Sequence, residues 1–195
     1  MDGRPTEAWT LTAGQRSVLR FVELPAGALS GAGAYAVVRV SAVPPAGQPA
    51  VPVALTQFDA APLTTLQWGF DAGWHDDEVD LRTARRFRWT SGEASLVVRG
   101  AQGDLRVRVE VAAPGPSFTD APVVQLRCGE AVLAEVRSLA AFTLDAHVPA
   151  GTLAGAGGRI TLTTSATFSP AERGQSADQR RLGLRVERVE ITAEP

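Results

Sequence analysis

The chain has 195 residues, 45% hydrophobic and 21% charged, with a formal net charge of -2. That length and apolar content can bury a substantial core without disulfide or metal staples, and they exclude a disordered chain, a collagen, a coiled coil and a disulfide scaffold. All 19 basic residues are arginines scattered among acids and apolar residues, so no basic block tracks a phosphate backbone and nucleic acid is not an expected partner.

The N-terminal run Met1-Asp2-Gly3-Arg4-Pro5 lacks the apolar core of a signal peptide. No apolar run is long enough to span a bilayer, so direct membrane insertion is not expected. In chain order, alternation of apolar and polar residues predicts strands over Val18 to Leu24, Ala36 to Val43, Val51 to Phe58, Ala94 to Arg99 and Leu105 to Val111. Further strands are predicted over Val123 to Cys128, Val132 to Val136, Phe142 to Val148, Arg159 to Thr164 and Leu182 to Ile191. Phe87 and Trp89, in Arg86-Phe87-Arg88-Trp89-Thr90, share a face as core residues would. Turn signals lie between the strands, among them Gly100 to Gly103, Pro114-Gly115-Pro116 and Cys128-Gly129-Glu130. Only Pro25 to Leu29 and Pro149 to Leu153 suggest short helices. They sit in two similar stretches, Leu24 to Gly33 and Val148 to Gly157. A strand–turn–strand device used twice explains that echo more simply than duplication of a half-sandwich.

Many short strands with one wet face predict an all-β chain, an antiparallel β-sandwich of jelly-roll type resembling a carbohydrate-binding module. It is expected to form a single domain over 1–195, with residues 1–60 adding strands to a sandwich over 61–195. Gly31, Gly33 and Ala36 fit a loose dinucleotide pattern, but they lead into a strand pattern rather than a helix, so no nucleotide cofactor is expected.

Chemistry-bearing residues concentrate in one stretch. Asp71, His75, Asp76, Asp77, Glu78 and Asp80 fall within Gly69 to Leu81, read as a loop. Asp71, Asp76, Asp77 and Glu78 offer the hard oxygens that calcium requires; the alternative is a solvated acidic turn. Trp68, Phe70, Trp74, Phe87 and Trp89 crowd the same third of the chain. Flat aromatic faces bind the C–H patches of sugar rings, and core packing is the competing use. Trp68 and Trp74 flank glycines and are expected to be the most exposed. With His75 and Trp89 they make up the candidate glycan site. Cys128 reads as a buried, inert thiol. His75 and His147 are the only histidines, and neither sits in a recognisable nucleophile–base arrangement. Gly174-Gln175-Ser176-Ala177-Asp178 narrowly misses a nucleophile-elbow pattern and lies in a polar loop.

Several phrases occur in a familiar order: Gln57-Phe58-Asp59, Gly69-Phe70-Asp71-Ala72-Gly73-Trp74-His75, Arg86-Phe87-Arg88-Trp89-Thr90, Thr167-Phe168-Ser169-Pro170-Ala171, and Gly174-Gln175-Ser176-Ala177-Asp178-Gln179-Arg180-Arg181-Leu182-Gly183. In this order they resemble the extramembrane C-terminal β-sandwich domain of bacterial multi-spanning glycosyltransferases of the protein mannosyltransferase-like class. The resemblance covers about Pro52 to Ile191. The catalytic helices of that family have no counterpart in this chain. The resemblance therefore implies an accessory domain at the extracytoplasmic face of a cell membrane, with a glycan and a membrane-embedded glycosyltransferase as partners. It also marks Asp178 and Arg181 as an acid–arginine pair pinning the last strand.

Three functions follow. The first is a non-catalytic, carbohydrate-binding accessory module of envelope glycan assembly. The alternatives are a structural or protein-interaction domain without a small-molecule ligand, and a hydrolase or lyase on a sandwich scaffold.

Overall fold

The computed structural model describes residues 7–10, 18–24, 38–44, 46–49, 54–55, 58–115 and 118–195. The chain divides into two compact units, Met1–Gln15 with Arg20–Pro62, and Arg16–Leu19 with Leu63–Pro195. Residues 18–24 and 38–44 alternate as strands should, yet they form none. Val22, Val38 and Val40 stay more than two-fifths exposed, so among the described residues no second layer covers the apolar side of that alternation. Residues 36–37, 51–53 and 56–57, the helix candidate at 25–29 and most of the first copy of the echo lie outside the described residues.

The second unit is an antiparallel β-sandwich. Its strands are β1 (Gln67–Phe70), β2 (Trp74–Asp80), β3 (Arg85–Thr90), β4 (Glu93–Arg99), β5 (Leu105–Val111), β6 (Val123–Cys128), β7 (Ala131–Arg137), β8 (Phe142–Val148), β9 (Arg159–Thr164) and β10 (Arg185–Ala193), with one helix, α1 (Ala150–Gly155), between β8 and β9. One sheet has the order β1-β4-β9-β6-β7 and the other β2-β3-β10-β5-β8. The late strands insert between early ones: β10 lies between β3 and β5, and β9 between β4 and β6. That interleaved winding is the mark of a jelly roll.

The core is the space between the sheets. Leu105, Val107, Val109 and Val111 of β5 point inward while Arg106, Arg108 and Glu110 stay outside. Val148, Ala146 and Leu144 of β8 lie opposite Leu105, Val107 and Val109. Leu96, Ile160, Leu162 and Leu126 supply the facing layer. Each of these four is at most 1% exposed, so each contributes about 1.5–3 kcal/mol of transfer free energy.

Strands with unbroken alternation form where the pattern places them. The stretch read as a loop, Gly69 to Leu81, is instead mostly strand β2. A bulge between Trp74 and Asp77 breaks its period, so the alternation is not visible in the sequence. β6 and β7 join through a two-residue turn in which Gly129 takes a positive φ of 57°, as a tight hairpin requires.

Leu153 anchors α1 in the core, and the helix ends in a glycine cap. Gly158 N–H donates to the Leu153 carbonyl at 2.9 Å. Its φ is +76°, and a Cβ there would lie 2.4 Å from the Val98 carbonyl oxygen. Gly158→Ala should therefore destabilise the sandwich by at least about 1–3 kcal/mol. Gly103→Ala, where nothing lies within 4 Å of the added carbon, should change stability by less than about 0.5 kcal/mol. Urea titration of both variants checks this.

Candidate functional site

Strands β2, β3 and β10 carry charged and aromatic side chains on both faces. On β3, Arg88 pairs in register with the core residue Val186 of β10, so Arg88 shares the inner face. Phe87 and Trp89 consequently point to the outer face, with Glu78, which lies opposite Phe87 on β2. Two large aromatics on the outside of a sheet need a cover, and the segment between β9 and β10 provides it. Phe168 and Leu182 pair through an isolated bridge and pack with Phe118, Trp89 and Ala166 into a second, smaller core. Trp89 meets Phe87 and Phe168 edge-to-face at 6.2 and 5.7 Å, and Phe118 meets Phe168 at 5.6 Å.

Beside this cover lies an open cleft of about 420 Å³. Trp89, Phe168 and Leu182 form its apolar floor, and Gln175, Ser176, Glu78, Asp178, Arg180 and Arg185 its polar walls. Arg180 organises one wall. Its Nη2 donates to Asp178 Oδ2 at 2.7 Å, its Nε to Asp178 Oδ1 at 3.0 Å, and its Nη1 lies 2.9 Å from Glu78 Oε1. The Arg180 hydrogen bonds hold the Asp178 carboxyl below the usual carboxylate range. Arg185 stacks over Phe87, 4.1 Å from the ring centroid, and donates to Asp80 at 2.8 Å, while its buried Nε has no hydrogen-bond partner.

The sequence-derived candidates separate in space. Trp89 lines the outer cleft. Trp68 and Trp74, expected to be exposed, are half-buried and pack against the main core instead. They form an edge-to-face ladder through Phe70, and Trp74 Nε1 donates to the Ser95 carbonyl at 2.8 Å. Glycine flanks suggested a loop there, but β1 and β2 turn these rings inward. His75 Nε2 contacts the Arg181 carbonyl oxygen at 3.3 Å, tying β2 to the covering segment.

The four acids proposed for calcium are spread out by β2. Asp71 pairs with Arg159 at 2.6 Å, Asp77 with Arg86 at 2.7 Å, and Glu78 faces Arg180, while Asp76 lies in the bulge. Among the described residues, no three His, Cys, Asp or Glu side chains are gathered to hold a metal ion.

The acid–arginine pair is also different from the expected one. Asp178 binds Arg180, whereas Arg181 reaches Glu172 at 3.1 Å on the surface. Asp178 is thus paired with an arginine, but with Arg180 and not with the expected Arg181. Cys128 is buried, and burial raises its thiol pKa, as suits a core residue. No helix among the described residues is long and apolar enough to cross a membrane.

The chain matches no protein-family model, no characterised protein and no solved structure. The site must therefore be judged on its own chemistry.

Loss of Arg180 leaves two half-buried carboxylates without their cation. Arg180→Ala should cost about 1.5–3 kcal/mol in chemical denaturation, and Arg181→Ala less than about 0.5 kcal/mol. The depressed Asp178 carboxyl stabilises the fold fully above its unfolded pKa, about 4, and loses that contribution as pH falls through its lower folded value. The difference in Tm between the wild type and Asp178→Asn should thus be largest at neutral pH and shrink below about pH 4, which a pH series of melting curves measures.

Proposed function

We propose that this chain is a non-catalytic, carbohydrate-binding accessory module, and that the outer cleft is its glycan site. One observation carries the reading: an apolar floor of Trp89 and Phe168 lies beside Asp178 and Arg180, with the amide of Gln175 and the hydroxyl of Ser176 on the same rim. Sugar rings present C–H faces to aromatics and hydroxyls to carboxylates, guanidiniums and amides, and this wall offers both donors and acceptors.

A non-catalytic role is supported by the acids. Among the described residues, Asp80, Asp145 and Asp178 are carboxyls that arginines hold below the ordinary range. A glycosidase acid needs the opposite shift. Association with envelope glycan assembly, beside a membrane-embedded glycosyltransferase, is the context that the ordered motifs imply.

A second reading, a protein-docking module, is favoured by β7. Its outer edge pairs with no strand among the described residues, and Val132 and the adjacent Leu139 are 47% and 45% exposed. That reading predicts an oligomer in light scattering, abolished by Val132→Arg.

The cleft is tested by titrating the protein with neutral pentose and hexose oligosaccharides. One series should bind saturably. Gln175→Ala and Ser176→Ala, both exposed, should weaken it by about tenfold, or 1.4 kcal/mol, without lowering Tm. Absence of binding across the panel, or binding indifferent to both variants, would refute the assignment.

A further inference from the structure

The inner face of the same strands holds a second groove, of about 240 Å³, where the edge strands β1 and β2 meet. Phe70 and Trp74 form its apolar wall, edge-to-face at 4.8 Å. Arg86, Arg88 and Arg188 also line it. We propose that this groove binds the carboxylate of an acidic sugar, a uronate unit within a glycan, at a site distinct from the outer cleft.

Charge placement is the first support. Arg88 occupies an inward register position opposite Val186, where a sandwich ordinarily places an apolar residue. Its guanidinium carbon lies 4.7 Å from the Phe70 ring centroid, and its Nη1 donates to the His75 carbonyl. Asp77 is shared, with Oδ2 taken by Arg86 at 2.7 Å and Oδ1 at 3.8 Å from Arg88. Arg188 lies at the border of the groove, but it pairs in register with the outward Glu110 and reaches Glu190 at 3.0 Å, so its guanidinium belongs to the outer face. Glu187 also borders the groove, but its carboxylate is engaged by Arg85 and Arg185 at 3.6 and 3.8 Å. Two guanidiniums, of Arg86 and Arg88, thus face the groove with the Asp77 carboxylate between them. Each guanidinium carries five N–H donors, most of them not used by these partners.

Backbone geometry is the second support. The sheet has its two bulges here, one in β2 between Trp74 and Asp77 and one in β10 between Val186 and Arg188, on either side of β3. Bulges re-aim side chains and concentrate beside binding sites. The bulge in β2 brings Asp77 to the groove between Arg86 and Arg88. A planar carboxylate suits the guanidinium fork, and a sugar ring attached to it offers a C–H face to Phe70 and Trp74. Inorganic phosphate has no such face, and a neutral sugar lacks the charge.

The test is calorimetric titration of the full chain with trigalacturonate, its fully methyl-esterified form, and inorganic phosphate. Trigalacturonate should bind saturably, at least tenfold more tightly than either of the others, and more weakly as salt is raised. Arg86 is 78% exposed at its side chain, so Arg86→Ala should leave Tm unchanged and weaken trigalacturonate binding by tenfold or more, whereas Arg188→Ala, on the outer face, should not weaken it. Gln175→Ala in the outer cleft should not affect it, so failure of the neutral-glycan reading leaves this one standing. No uptake of trigalacturonate, equal affinity for the methyl ester or for phosphate, or indifference to Arg86→Ala would each overturn the proposal.

Discussion

The apolar layer between the two sheets constrains everything else in this unit. Leu105, Val107 and Val109 face Leu126, Ile160 and Leu162 across it. Once these residues are inside, strand geometry fixes the face of every other residue on β5, β8, β9 and β10. A one-residue slip would exchange the inner and outer sets, so the register is held by the full transfer free energy of the core.

The chemistry of β2 and β3 follows from that register. Val186 belongs to the core, so its partner Arg88 faces inward and Trp89 outward. Adjacent residues of one strand therefore serve two grooves of different character. The outer groove has a rim in which arginine and carboxylates are already paired, which suits polar, neutral ligands. The inner groove sets the guanidiniums of Arg86 and Arg88 about the Asp77 carboxylate, the arrangement on which the proposed anion site rests.

The price of placing Phe87 and Trp89 outside is a second core. Phe118, Phe168 and Leu182 cover them, and the segment that brings Phe168 and Leu182 also delivers Asp178 and Arg180 to the rim. Stability and site are thus coupled. Arg180 holds Asp178 and Glu78, and through them ties the covering segment to β2.

Much of this was legible in the residues. Six strands from Ala94 to Thr164 and the helix after Pro149 follow from alternation, turn glycines and proline, because burying one face of a sheet imposes a period of two. Buried Cys128 and the acidic Asp178 loop were also visible. The strands at Gln67–Phe70 and Trp74–Asp80 were not. The first is only four residues long, and a bulge breaks the period of the second. Clustered acids also resemble a loop until they meet arginines from distant segments, as Asp71 meets Arg159. The inward turn of Trp68 and Trp74, the choice of Arg180 over Arg181, and the gathering of Trp89 with Asp178 depend on which strands become neighbours. By itself, the sequence determined an antiparallel sandwich and its inner face, because alternation is a local property. Only the tertiary structure decided the sites, because long-range pairing of β3 with β10 sets which side chains meet.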